Sequence, residues 1–484
     1  MGIFVLHGRE RELEPLLKQL DLPHGDRLPE DFPVEAVIRW GTKVEEPEGV
    51  LTLNRLKPVL RAGNRPEREE ILKLHGLKPG ILQTRAERSG FPMYTHEYMI
   101  PVFHLEVLTV YEKKAAQPLL ARSASAIRPA FRELGEENWS HPVRRAVKDS
   151  LKAVYALGLD FALVRTAVTA DSRTVIVDVE PNPKLMGGWV RRLVEEIRQF
   201  AADVRKQAGG APAAMLGADP EFVLQNREGK ITPASRFMDK EGAVGCDNVI
   251  VRGQRTFMPL VELRPEPASD PRQLVRHLRR SLLQATRLIT DRDLAWVAGG
   301  MPVRGIPLGG HIHISGIWLH SRLVRMLDNY LALPMLLTEE ERDRYRRPRY
   351  GYLGDIRRKA HGGFEYRSLA SWLGSPRLSA GVLCLTRCIM DHYGELKQEP
   401  LTRFEVQQAF YEGNKTYLRP VVRELWGELE RLPAYSTYRK ELDALKQIVF
   451  GWKVLPAGDF RSAWKLPAAS ELNLPAGRKT LERL

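Results

Sequence analysis

The chain has 484 residues, of which 43% are hydrophobic and 28% charged, and a formal net charge of +14. Its length exceeds what one hydrophobic core organises, which predicts two domains, and its apolar share predicts packed structure in place of disorder. No stretch reaches the roughly 20 apolar residues of a membrane span, and cations spread along the whole chain indicate a basic surface and not a nucleic-acid partner.

Met1 to His7 carries a five-residue apolar run before Gly8 and Arg9, too short for a signal peptide, and Leu6 does not fit a myristoylation motif. Cys246, Cys384 and Cys388 are too few for a disulfide framework, and the last two lack a second pair for zinc. A reduced, cytoplasmic setting is expected, with no membrane partner. Further along, Leu105 to Tyr111 and Thr174 to Val179 read as strands, and Val143 to Leu157 and Trp189 to Val204 as amphipathic helices. They make residues 1–207 a mixed α and β domain. The small-residue stretch Lys206 to Met215 marks a seam, with a linker at 208–215. A second domain, 216–466, then sets short strands near Glu221, Val261, Ile312 and Glu365 between helices at Pro271 to Leu288 and Ser321 to Leu336. Its helical extension is 377–466, and 467–484 reads as a loosely ordered tail. The fold class expected is α+β.

Alternation along the strands of the second domain groups the polar residues, because side chains at i and i+2 share a face. Asp219 and Glu221, Glu262 and Arg264 with Glu266 beyond, His311 and His313, and Glu365 and Arg367 all fall two apart. Phe222, Val261, Leu263, Ile312, Ile314, Phe364 and Tyr366 occupy the alternate positions and suit a core. One such pair is ordinary on a solvated sheet face. Four pairs made almost wholly of carboxylates, imidazoles and guanidinium groups describe a cup for a metal-bound polyphosphate, since carboxylates bind Mg²⁺ or Mn²⁺ and arginine forks bind phosphate. Gly309 and Gly310 before His311 would let backbone come close to a ligand. An arginine-rich run, Arg342, Arg344, Arg346, Arg347, Arg349, Arg357, Arg358 and Lys359, lies between the third and fourth strands.

The order acid-x-acid, a Glu strand, Gly-Gly-His-x-His, an Arg-rich loop and Glu-x-Arg resembles the glutamine-synthetase superfamily of carboxylate-amine ligases, in particular a branch first described in phages. The resemblance covers roughly Gly217 to Pro376 and makes 216–376 the catalytic part of a glutamine-synthetase-like antiparallel-sheet domain with helices. It implies Asp219, Glu221, Glu262, His311 and Glu365 as metal ligands, with Glu266 as a further candidate, and it places His313 by the nucleotide. It implies Arg349, Arg357 and Arg367 as contacts of the ATP phosphates. This chain has Asp219 where better-known members have Glu. The implied activity joins a carboxylate to an amine, a peptide or amino acid being the kind of substrate in view, with ATP and Mg²⁺ or Mn²⁺ as cofactors and an acyl phosphate as intermediate. A homo-oligomer stays open. Asp247 is the candidate base for the incoming ammonium, a turn-forming aspartate being the plainer alternative.

In the first domain, Asp178, Glu180 and Asn182 fall on one face of a strand with Val175, Val177 and Val179 opposite, and three oxygen-bearing side chains could bind Mg²⁺. With the helix ending at Ala156 to Phe161, this resembles the carboxyl-terminal signature of ATP-grasp ligases. Ile38 to Gly41, Asn54-Arg55 and Asn64-Arg65 add a similarity to endospore-coat-associated ATP-grasp proteins. The resemblance implies Glu180 and Asn182 as cofactor-binding, but Arg165 stands where that family has an acid, and only Arg85, Arg88 and Gly90 offer a phosphate loop. A degenerate domain holding a peptide or carboxylate is therefore expected alongside an active one, and a catalytically inactive scaffold or peptide-binding protein is the alternative for the whole chain. No Walker-type motif and no Gly-x-Gly-x-x-Gly after a strand occurs.

Overall fold

The computed structural model describes residues 2–29, 34–81, 94–114, 130–185, 188–208, 214–248, 258–360, 362–451 and 458–466. The expected phosphate-loop residues Arg85, Arg88 and Gly90, the middle of the seam and the tail from 467 lie outside them. Within them the chain mixes helices with three sheets, in keeping with the α+β expectation.

The first sheet is parallel, in the order His24–Gly25, Gly2–His7, Val34–Trp40, Leu51–Leu53. All six residues of Gly2–His7 are buried, as a central parallel strand covered on both faces requires. The second sheet is antiparallel, in the order Thr174–Glu180, Phe161–Thr169, Tyr94–Phe103, Val110–Lys114, Arg132–Leu134. Helix His141–Ala156 lays Val143, Ala146, Ala153 and Val154 into the core beneath it.

Two expectations fail here for local reasons. The strand expected at Leu105 to Tyr111 is broken in two: after a tight return with His104 and Leu105 at φ 48 and 69, Glu106–Val107 folds back on Val102 and Phe103, and a separate strand begins at Val110. In Thr174–Glu180 a register shift between Ile176 and Asp178 breaks the alternation. Ile176 and Val179 therefore share one core, while Val175 and Val177 pack in another.

The third sheet is antiparallel, in the order Val244–Asp247, Leu260–Leu263, Met215–Gln225, Gly310–Ser315, Phe364–Tyr366, Ile356–Arg358. All seven apolar residues assigned to its inner face lie in one core with helices Pro271–Leu288 and Pro376–His392. Cys384 and Cys388 are buried free thiols in the second of these helices. The helix expected at Ser321 to Leu336 is interrupted. Its middle, Asp328–Ala332, is a π-helical turn wholly buried between the α-helical pieces Ser321–Leu327 and Leu333–Leu336.

That turn lies where the amino-terminal helix His141–Ala156 meets the third sheet. Asp328 accepts hydrogen bonds from the hydroxyls of Tyr155 and Tyr366, both at 2.7 Å. Burial pushes the Asp328 carboxyl from its ordinary 3.8 up to about 7, against the pull of the two tyrosine hydroxyls. The folded chain thus holds a proton there that the unfolded chain has released. Stability is expected to fall as pH rises from about 4 to about 7 and to level off above that, where both states are ionised. Urea midpoints at pH 5 and pH 8 should differ in the wild type, and Asp328→Asn should shrink the difference.

Candidate active site

Strand pairing, more than spacing alone, assembles the polar face of the third sheet. Asp219 stands opposite His311, Glu221 opposite Glu262, His313 opposite Glu365, and Arg357 opposite Glu365 on the other side. Cross-strand partners share a face, so five strands place their ionisable side chains on one surface. Two trios form there: Asp219, His313 and Glu365, and Glu221, Asp247 and Glu262, the ligand atoms of each within 4.8 Å of one another.

The first trio has the donor geometry of a cation site. Asp219 Oδ1, His313 Nε2 and Glu365 Oε1 are buried and have no hydrogen-bond partner among the described residues. His313 Nε2 nevertheless lies 2.9 Å from Asp219 Oδ2, and His311 Nδ1 lies 3.3 Å from Asp219 Oδ1 and 3.4 Å from Glu365 Oε1. Buried polar atoms in native proteins are nearly always paired. Electron-pair donors that crowd together without aligned hydrogen bonds are arranged as ligands, and this oxygen and imidazole set suits Mn²⁺ and accepts Mg²⁺.

The electrostatics agree. Burial, and then repulsion from Glu262 and Asp219, push the Glu221 carboxyl up to about 7 against the pull of His311 and the Gly309 N–H. Burial and Asp219 also raise Glu262. Burial opposes ionisation of Asp219 too, but His311 and His313 outweigh it and hold that carboxyl below the usual range. For His311, burial disfavours the charge, yet Asp219 and Glu221 prevail and raise it. Glu221 and Glu262 are short of positive charge, and a divalent cation would supply it.

Glu365, with no exposed surface, receives cations from three places. Arg357 Nε lies 2.8 Å and Lys359 Nζ 2.6 Å from its Oε2, and Arg367 Nε lies 3.4 Å from its Oε1. A cavity of about 100 Å³ opens beside the second trio, with Glu221, Asp247 and His311 on one wall and Arg346, Arg367 and Asp355 among its other lining residues. Arg346 is 2% exposed. It donates to the carbonyls of Leu369 at 2.9 Å and Ser368 at 3.4 Å, and its Nε has no hydrogen-bond partner among the described residues.

Several expected roles shift. Glu266 is exposed beyond the end of its strand and joins neither trio, because the chain leaves the sheet after Leu263. His313, expected near the nucleotide, is the imidazole of the first trio, while His311 lies beneath it between Asp219 and Glu365. Asp247 is neither in a turn nor isolated. It closes strand Val244–Asp247 opposite Leu260 and falls in with Glu221 and Glu262, a ligand position more than that of a free base. Arg349 is exposed with its guanidinium over the Tyr350 ring and does not line the cavity. Arg346, concealed in the arginine run, does. Gly309 lines the cavity, and neither glycine leaves room for a side chain: a Cβ on Gly309 would meet His311 Nε2 at 2.2 Å, and one on Gly310 would meet the Ala370 carbonyl at 2.5 Å. The Gly309 N–H meanwhile donates to Glu221 at 2.6 Å.

In the second sheet, Glu180 and Asn182 line a common cavity, but their oxygens have other partners. Glu180 pairs with Arg165 at 3.0 Å, Asn182 accepts the Gly41 N–H at 2.8 Å, and Asp178 pairs with Arg68 at 3.0 Å. No metal-ligating trio forms there among the described residues.

The third sheet thus carries a carboxylate-rich face backed by arginines. Residues 216–466 match the model of the phage phiEco32-like COOH.NH2 ligase-type 2 family, and the chain belongs to that family of ligases. The match starts one residue into the first strand of the third sheet and runs through the carboxyl-terminal helices to Leu466. None of the curated proteins matches this chain. Solved structures similar to its amino-terminal part are ATP-grasp ligases. The macrocyclase MdnC bound with precursor peptide MdnA, from Microcystis aeruginosa MRC, is 11% identical with a TM-score of 0.29, over 41% of this chain and 99% of that one. The ATP-grasp ligase PsnB complexed with minimal precursor, Mg and ADP is 10% identical with a TM-score of 0.29, over 41% and 96%. D-alanine–D-alanine ligase from Bacillus anthracis complexed with ATP is 12% identical with a TM-score of 0.30, over 43% and 99%.

Proposed function

We propose that the chain is an ATP-dependent ligase that joins a carboxylate to an amine at the polar face of the third sheet, within a unit spanning 216–466 that shares its design with the glutamine-synthetase superfamily. The observation that carries this is the pair of carboxylate trios on one sheet face, closed by a cavity with Arg346 and Arg367 in its walls. A carboxylate does not react with an amine unaided. Transfer of the ATP γ-phosphoryl to it gives an acyl phosphate, which the amine attacks with loss of phosphate. Phosphoryl transfer is accelerated chiefly by positioning and by stabilising charge.

The chain's own residues serve both needs. Asp219, His313 and Glu365, and Glu221, Glu262 and Asp247, would hold divalent cations, which would supply positive charge to a transferring phosphoryl group. Arg367 and Arg346 face the same cavity and offset the negative charge that grows on the transferring group. Against burial and the repulsion of Asp219, His311, Lys359 and Arg367 hold the Glu365 carboxyl below its ordinary value, and Arg357 and Lys359 fix its Oε2. The Gly309 N–H orients the Glu221 carboxylate. Deprotonation of the amine then falls to a carboxylate left free of metal, and Asp355, also on the cavity wall, is available for it. Peptides and amino acids are the substrate class in view.

The test uses the full chain with Mg²⁺. ATP at a hundredfold excess over its Kd should stabilise the fold by about 2.7 kcal/mol. Phosphate release should rise when carboxylates and amines are supplied together, and Glu221→Gln should abolish the rise. A melting temperature indifferent to Mg-ATP, with Glu221→Gln indistinguishable from wild type, would sink the proposal.

A further inference from the structure

The second sheet holds a cavity of about 580 Å³, within the range of small-ligand sites, that the ligase chemistry does not use. Its walls include Met99, Leu163 and Trp189, and its charged lining consists of Arg165, Lys184 and Glu180. An ATP-grasp nucleotide site would need the oxygens of Glu180 and Asn182 for magnesium, and here they do not fit that duty. Arg165 neutralises Glu180 at 3.0 Å, and the Asn182 oxygen is occupied by the Gly41 N–H at 2.8 Å. Asp178, the remaining acid of that strand segment, pairs with Arg68 at 3.0 Å.

What the cavity retains is positive. Two cations face one carboxylate, an excess of one charge. Arg165 keeps a buried Nε with no hydrogen-bond partner, and Lys184 has no ion-pair partner, both among the described residues. A triphosphate with its several charges would meet Glu180 with no metal between them. A single carboxylate balances the excess, and an arginine fork beside an ammonium is suited to hold it.

We propose that this cavity is a metal-independent docking site for the carboxylate end of a short peptide, with Arg165 and Lys184 gripping the carboxylate and the residue before it lying on Trp189, Leu163 and Met99. The site is separate from the metal-binding face of the third sheet and stands whether or not that face ligates.

The experiment uses full-length protein in EDTA and a pool of N-acetylated tripeptides with apolar carboxyl-terminal residues, presented as free acids and as carboxamides. Retained peptides are identified by affinity selection and mass spectrometry. Free acids should be retained about tenfold more tightly than the matching amides, the difference of one well-placed charged contact. Arg165→Gln should erase that preference, and Lys184→Gln, an exposed change that leaves the fold intact, should reduce it. Glu180→Gln should preserve or strengthen it. The same pattern should persist in Glu221→Gln protein, so that a silent ligase site does not mimic failure here. Equal or absent retention of acids and amides would overturn the proposal. So would displacement of the peptides by Mg-ATP in a manner that Glu180→Gln abolishes, the mark of a metal-nucleotide site.

Discussion

Glu365→Gln is expected to lower the ligation rate by about 10³-fold, the order that follows loss of one preorganised charge-stabilising group. No other side chain on the polar face gathers so many partners. Its Oε2 meets Arg357 and Lys359, its Oε1 faces His311 and Arg367, and it has no exposed surface. Glutamine keeps the shape but removes the charge and turns an amide N–H₂ toward cations or toward the first trio. Arg357, Lys359 and Arg367 then repel any divalent ion that Asp219 and His313 still hold. Metal affinity should therefore fall by at least about tenfold, since even changes around a ligand shell cost that much. Activity measured across a range of Mn²⁺ concentrations separates the two losses: high metal should restore part of the rate and not all of it. Glu266→Gln, on the exposed chain beyond the same sheet, should stay within about twofold of wild type. If Glu365→Gln retains wild-type turnover at every metal concentration, the ligation site lies elsewhere.

Much of this site could be read from residue order because a strand has a period of two. Asp219 and Glu221, His311 and His313 needed only alternation to be placed on one face, and Phe222, Ile312 and Tyr366 on the other. Alternation cannot report where a strand stops. Glu266 is in phase with Glu262, yet the strand ends at Leu263 and the chain turns away before reaching it. Nor can it detect an inserted residue, which is why Val177 and Val179 were grouped together and the register shift separated them. The arginine run hid its roles for a different reason. Arg346, Arg347 and Arg349 are alike in local sequence, and their partners in the fold tell them apart: the Ser368 and Leu369 carbonyls for the first, Glu339 for the second, and the neighbouring Tyr350 ring for the third. Asp247 likewise gained its place from pairing with the Leu260 strand, across residues that carry no pattern of their own. Buried helical positions were the least legible. An apolar stretch such as Tyr330 to Leu336 is satisfied by core on every side, and its composition does not show that one turn is π-helical.

Arg325→Leu is expected to destabilise the fold by about 3–5 kcal/mol, the cost of leaving a buried charge without its partner. Arg325 lies on helix Ser321–Leu327 and reaches across to the loop before strand Phe161–Thr169. It pairs with Asp160 at 2.9 Å and donates to the carbonyls of Gly158 and Leu159 at 3.0 Å each. Asp160 has a side chain only 1% exposed and also accepts from the Ser321 hydroxyl at 2.6 Å and the Asn54 N–H at 2.7 Å. Leucine removes the one cation in this group and leaves the aspartate buried with two neutral donors. The residues concerned come from the first, second and third sheets' surroundings, so the loss falls on their junction and not on any single core. Other contacts also cross between these parts, among them Tyr155 with Asp328, Lys152 over the Tyr352 ring at 3.7 Å, Arg55 with Glu399 at 2.6 Å and His75 with Gln407 at 3.0 Å, and should keep the parts unfolding together. Urea titration should show one transition in both proteins, at a lower midpoint in Arg325→Leu. The double variant Arg325→Leu with Asp160→Leu should be less unstable than the sum of the single changes, because neither charge is then left alone. An unshifted transition in Arg325→Leu would mean that this ion pair contributes little and that the remaining contacts join the two ends of the chain.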